Sequence, residues 1–243
     1  GTLQGSVYAG SEPQMLRISG DQSSVYTYLQ GERRIARVDL VTRTRDLLFA
    51  TDPTGGSQQY PIYDMDTGAG SALAVSYFGG GIAVFDAGVL RQEMDRNNEG
   101  TGAFLGGTYE LEFDGSGTTL YARETTWSSA GFKRCSVDEK GVRWLSSADG
   151  LIGGSMHYAE GLLYTSFGSI FDPERSRVIG TLPGAGQSML AEPSKNRAFS
   201  VNQSVLHLYE LSTRSLVGSL PLPYGQTTPS NLALVGQDEI AFL

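Results

Sequence analysis

Ile35-Ala36-Arg37-Val38-Asp39-Leu40 is one of five copies of a short apolar strand that closes on an acid. The others read Ile82-Ala83-Val84-Phe85-Asp86, Lys133-Arg134-Cys135-Ser136-Val137-Asp138, Ser169-Ile170-Phe171-Asp172 and Leu206-His207-Leu208-Tyr209-Glu210-Leu211. The closing acids, Asp39, Asp86, Asp138, Asp172 and Glu210, lie 47, 52, 34 and 38 residues apart. This spacing brackets the ~40 to 45 residues of a four-stranded propeller blade.

Two further strands recur upstream of that stretch: Gln14 to Ile18 with Val25 to Leu29, Tyr109 to Phe113 with Thr119 to Ala122, and Ser188 to Ala191 with Arg197 to Val201. Turns such as Ser19-Gly20-Asp21 and Asp114-Gly115-Ser116-Gly117 separate them, with residues that reverse a chain at low cost. Downstream, Leu216-Val217-Gly218-Ser219-Leu220 repeats Val178-Ile179-Gly180-Thr181-Leu182, and Leu3-Gln4-Gly5-Ser6-Val7 echoes both as an orphan outer strand. At the other end, 231–235 and 239–243 read as first and second strands.

The expectation is an all-β chain, a β-propeller of four-stranded antiparallel blades. It is seven-bladed with strands missing at both ends, or six-bladed if the orphan strand completes the final half-blade. A single domain spans 1–243, with blades at 1–9 (outer strand only), 10–56, 57–98, 99–150, 151–184, 185–224 and 225–243 (partial). The sequence opens at Gly1 without methionine, which suggests a fragment of a longer chain. A β-sandwich of many short strands is the competing reading, and the regular repeat disfavours it.

Composition narrows the function classes. Glycine supplies 32 of 243 residues, an excess that many tight turns require. The net charge of −8 argues against nucleic acid, whose phosphates call for a basic stripe. Arg33, Arg34, Arg37, Arg43 and Arg45 alternate with other residues as the wet face of strands does. One cysteine, Cys135, rules out an intrachain disulfide and a multi-cysteine metal centre. No apolar run reaches the ~18 residues of a spanning helix.

Tyr26-Thr27-Tyr28-Leu29 followed by Ile35 to Leu40, and Arg197-Ala198-Phe199 followed by Leu208-Tyr209-Glu210-Leu211-Ser212-Thr213, resemble the YVTN and WD-repeat-like propellers of bacteria. That superfamily includes quinoprotein amine dehydrogenase-like domains. The resemblance covers nearly the whole chain and rests on strand cores and turns. It implies a non-enzymatic member of the cell envelope or a secreted protein, and hence an extracytoplasmic location.

Chemical motifs are sparse. His157, on an innermost strand or its entrance, and His207, within a third strand, each lack a second His or Cys at ligand spacing. Asp64-Met65-Asp66-Thr67-Gly68 resembles the opening of a calcium loop without its downstream bidentate Glu, and reads as a polar turn. Gly79, Gly80 and Gly81 read as a hairpin, since neither a helix nor a Lys-Ser/Thr pair follows. Two tryptophans, Trp127 and Trp144, are too few for quinone docking repeats, so no cofactor is expected.

The remaining candidates are loop residues able to anchor a partner: Arg33, Tyr60, Glu124, Trp127, His157 and Tyr224, with Glu12 beside them. The leading expectation is a non-catalytic binding or scaffold module contacting protein or glycan through an end face or a blade edge. Further domains, or copies of the same polypeptide, are the other partners considered. The alternative is a propeller hydrolase or lyase acting near His157 with Glu110 or Glu112.

Overall fold

The structure is a computed structural model that describes residues 5–51, 61–79, 81–92, 107–125, 131–148, 153–222, 232–235 and 239–242. These residues form five four-stranded antiparallel sheets and one two-stranded sheet, each a simple meander. The only helical element among them is the 3-10 turn Pro193–Lys195. Residues 5–10 form no strand.

The chain divides into two compact units. The first comprises Gly1–Thr126 and Lys133–Ser146. Its first sheet contains β1 (Pro13–Ile18), β2 (Ser24–Leu29), β3 (Arg34–Asp39) and β4 (Thr44–Ala50). The second contains β5 (Ile62–Thr67), β6 (Ala72–Tyr77), β7 (Gly81–Asp86) and the two-residue β8 (Val89–Leu90). The third contains β9 (Tyr109–Phe113), β10 (Thr119–Glu124), β11 (Phe132–Asp138) and β12 (Gly141–Ala148).

The second unit holds β13 (Met156–Ala159), β14 (Leu162–Thr165), β15 (Ser169–Asp172) and β16 (Arg177–Thr181) in one sheet. Its next sheet comprises β17 (Ser188–Glu192), β18 (Arg197–Asn202), β19 (Val205–Glu210) and β20 (Ser215–Pro221). The pair β21 (Leu232–Val235) and β22 (Glu239–Phe242) follows.

Burial explains why the second and third strands read as apolar runs. Leu73, Ala74, Val75, Ile82, Ala83 and Val84 are sealed because β6 and β7 have a sheet packed on each face. On one side Tyr28, Ile35 and Phe49 pack against Met65, Val75 and Phe85. On the other, Leu111, Leu120 and Cys135 pack against Ala74 and Val84. In the second unit the equivalent layer joins Tyr164 and Ile170 to Met189, Ala198 and Tyr209.

Most of the repeated acids are turn builders, Asp86 with Ser71 and Arg91 being the exception. Asp39 accepts hydrogen bonds from the Val41 and Thr42 amides, at 2.9 and 2.6 Å, and from the Thr42 hydroxyl. Asp172 accepts from the Arg175 amide, and Glu210 from the Thr213 hydroxyl. Four residues past these three acids the chain turns left-handed, at Arg43, Ser176 and Arg214. A side-chain acceptor that satisfies the turn's own amides is what this reversal needs. Outer strands β4, β16 and β20 each carry one bulge against the third strand, a device that discourages edge pairing.

One reading of the sequence is corrected. The segment from Asp64 to Thr67 belongs to the inner strand β5, where a polar turn was expected. Its period of two puts both aspartates on one face, and neighbouring strands supply their partners. Asp64 Oδ1 lies 2.7 Å from the Arg17 guanidinium on β1, and its Oδ2 accepts from the Leu111 amide on β9 at 2.9 Å. Asp66 Oδ2 accepts from the Phe113 amide at 2.7 Å, and the Thr67 hydroxyl donates to the Ile18 carbonyl at 2.7 Å. Inner strands pair on one side only, so side chains from the adjacent sheet satisfy main-chain groups that would otherwise be orphaned.

Candidate functional site

The turn joining β2 to β3 runs from Gln30 to Arg33 at one end of the first unit. The Arg33 amide donates to the Gln30 carbonyl and the Glu32 amide to Leu29, which closes the turn. Arg33 takes a left-handed φ of 52° and leaves its side chain exposed. The Thr51 hydroxyl donates to the Arg33 carbonyl, and the Gln30 amide donates to the Glu12 carbonyl. The turn is thereby tied to the end of β4 and to the entry of β1. Glu32 Oε1 accepts from the Ser11 amide at 3.0 Å.

These segments and Pro61 enclose a cavity of ≈ 660 Å³. Its wall includes Glu12, Tyr28, Gln30, Arg33, Arg34 and Thr51. That volume suits a small ligand or a short stretch of a partner's side chains. Burial pushes the Tyr28 phenol up, opposed by Arg33 and by a hydrogen bond with the Ile62 main chain. Two guanidinium-bearing and two carboxylate-bearing residues around a buried tyrosine favour polar, oriented contacts. No Gly31 side chain would fit without displacement, because a Cβ there would meet Ser11 Oγ at 2.7 Å.

Beside this cavity stands a residue that the sequence reading missed. Phe78 caps the turn after β6, half exposed at 50%, with its amide bonded to the Pro61 carbonyl. Its ring meets Tyr63 edge-on at 4.9 Å between centroids. In the second unit Phe167 stands in the turn after β14, one position further along than Phe78 in its own turn, and is 70% exposed. A Cβ on Gly153 would lie 2.9 Å from that ring, so Phe167 rests over a glycine. The available signal was a Phe-Gly pair closing the second strand, Phe78-Gly79 and Phe167-Gly168.

The other expected residues fall elsewhere. Glu124 ends β10 opposite Tyr109 and does not line the cavity. His157 sits on β13 opposite Tyr164, half-buried, and its ring hydrogen-bonds the Ala191 main chain. Burial holds its imidazole below the ordinary range. Glu110 is engaged by Arg123 at 2.9 Å, and Glu112 contributes to the field at Arg17. His207 lies on the surface with Nδ1 2.9 Å from Ser219 Oγ. Tyr60, Trp127 and Tyr224 lie outside the described residues.

Among the described residues no group of three or more His, Cys, Asp or Glu is arranged to hold a metal ion. No helix there is long and apolar enough to cross a membrane.

No protein-family model matches the chain, and no curated protein matches its sequence. Solved structures do resemble it. Hydrazine synthase of Kuenenia stuttgartiensis superposes with a TM-score of 0.68 at 12% identity, over 95% of this chain and 80% of that one. The WD40 β-propeller domain of Doa1 gives 0.65 at 11% identity, over 97% and 77%. The Cps50 (Swd1) β-propeller domain of Myceliophteria thermophila gives 0.63 at 12% identity, over 90% and 76%. With its meander of four-stranded antiparallel sheets, the chain has a WD40-like β-propeller fold.

Proposed function

We propose that this chain is a binding or scaffold module that contacts a protein partner through the end face built by the cavity, Arg33 and Phe78. The observation that carries the reading is the exposed Phe78 beside a cavity of ≈ 660 Å³ walled by arginine, glutamate and tyrosine. An aromatic anchor next to a pocket with arginines at its wall is the composition of an interface hot spot. The fold is used for both domain interactions and enzymes, so it supports either class and the site must decide. His157 is engaged with main chain, which does not favour the hydrolase reading. An extracytoplasmic setting, in a bacterial secreted or envelope protein, is proposed on the family resemblance of the strand and turn motifs.

The test is in-cell photo-crosslinking with a reactive phenylalanine analogue at position 78 and a control at the outer-strand position 45. A discrete protein adduct at 78 that is absent at 45 and lost on Arg33→Glu supports the proposal. No adduct, or equal adducts at both positions, contradicts it; a carbohydrate adduct would make glycan the ligand.

A further inference from the structure

In the inner strands of the first unit two carboxylates share one guanidinium: Arg17 lies 2.7 Å from Asp64 and 3.8 Å from Asp66. Glu110 pairs with Arg123 at 2.9 Å, and Glu112 contributes to the field at Arg17. The side chains of Asp64 and Asp66 are only 13% and 17% exposed, so solvent screens the repulsion between them poorly.

Asp64 holds the short ion pair, which leaves Asp66 the less compensated of the two. We infer that Asp66 is a proton-binding latch in the seam between β1, β5 and β9, protonated in the tight state and ionised when the seam loosens. A protonated carboxyl keeps an oxygen to accept the Phe113 amide, so the contact with β9 survives while the repulsion from Asp64 disappears. Burial pushes the Asp66 carboxyl up to about 6, against the pull of Arg17. Burial raises Asp64 and Glu110 as well, so they act in the same direction.

A carboxyl whose folded pKa lies above its unfolded value contributes stability that is complete below the unfolded value, near 4, and lost as pH rises through about 6. Turn carboxylates such as Asp21 and Asp172 are held low by their hydrogen bonds and lose their contribution only under stronger acid. The window from pH 7.5 to 5 excludes these turn carboxylates, and the difference between wild type and Asp66→Asn separates the latch from His157, whose contribution has the opposite sign.

The experiment is thermal unfolding of the whole chain across that window, wild type against Asp66→Asn, with a carboxyl carbon NMR titration of the wild type. The expected result is a melting temperature that rises by several degrees on acidification in the wild type. In Asp66→Asn it starts higher at pH 7.5 and rises much less. The titration should place the Asp66 midpoint near 6. A variant that keeps the full wild-type slope, or an Asp66 midpoint near 4, overturns the inference.

Discussion

Both units must satisfy the free edges of their inner strands, and they do so with opposite proton chemistry. In the first unit the joint between β5 and β9 uses carboxylates as acceptors, Asp64 for the Leu111 amide and Asp66 for the Phe113 amide. In the second, the joint between β13 and β17 uses an imidazole, His157 against the Ala191 main chain. Burial penalises the charged form in both places, which raises the carboxyls and lowers the histidine. Acidification toward pH 5 thus favours the first joint. It disfavours the second, because the unfolded chain takes up the proton that His157 refuses in the folded one. The same backbone requirement leaves side-chain chemistry free to vary, and pH separates the two solutions.

The largest expected effect comes from removing the shared cation. Arg17→Met leaves Asp64 and Asp66 half-buried without a counter-charge, a loss of about 3 kcal/mol at pH 7.5 by denaturant unfolding. At pH 5 the loss should shrink, because Asp66, pushed up to about 6, then protonates and Asp64 is raised in the same direction. An equal loss at the two pH values would mean that Arg17 acts through packing alone.

Asp64→Asn sharpens the contrast within the seam. Its amide oxygen still accepts from Leu111, but the short ion pair with Arg17 is lost, which offsets the relief of a buried charge, so stability at pH 7.5 should rise less than in Asp66→Asn. A gain in Asp64→Asn equal to or larger than that in Asp66→Asn would remove the distinction between them.

The smallest effect is expected in the second unit. His157→Phe deprives the Ala191 main chain of its partner, at a cost under about 1 kcal/mol near neutral pH. It also removes one source of acid sensitivity below the unfolded histidine value of 6.5. Denaturant unfolding at pH 5.5 and 7.5 reads both effects, and a variant whose acid sensitivity matches the wild type breaks the comparison.

The repeat carried the fold. The five acid-ended stretches are third strands; Asp39, Asp138, Asp172 and Glu210 brace the turns after them, whereas Asp86 takes Ser71 and Arg91. Inner strands were harder, and β5 was mistaken for a turn because its aspartates look like loop residues. Their partners, Arg17 and the amides of Leu111 and Phe113, lie 47 residues away in each case. No local period encodes such pairing. Arg33 was legible because a polar turn between two apolar strands must be exposed. Phe78 was missed because a phenylalanine at a strand end reads as core, and only the following glycine marks the reversal. Glu124 was expected in a loop, whereas it ends β10; His157, expected on an innermost strand or its entrance, sits on β13.

The claim that the two units close their inner edges with opposite proton chemistry is tested most directly by amide hydrogen exchange at pH 7.5 and 5.5, corrected for intrinsic rates. Protection at Leu111 and Phe113 should increase on acidification, while protection across β13 and β17 should decrease. Protection that moves in the same direction at both joints would contradict the account.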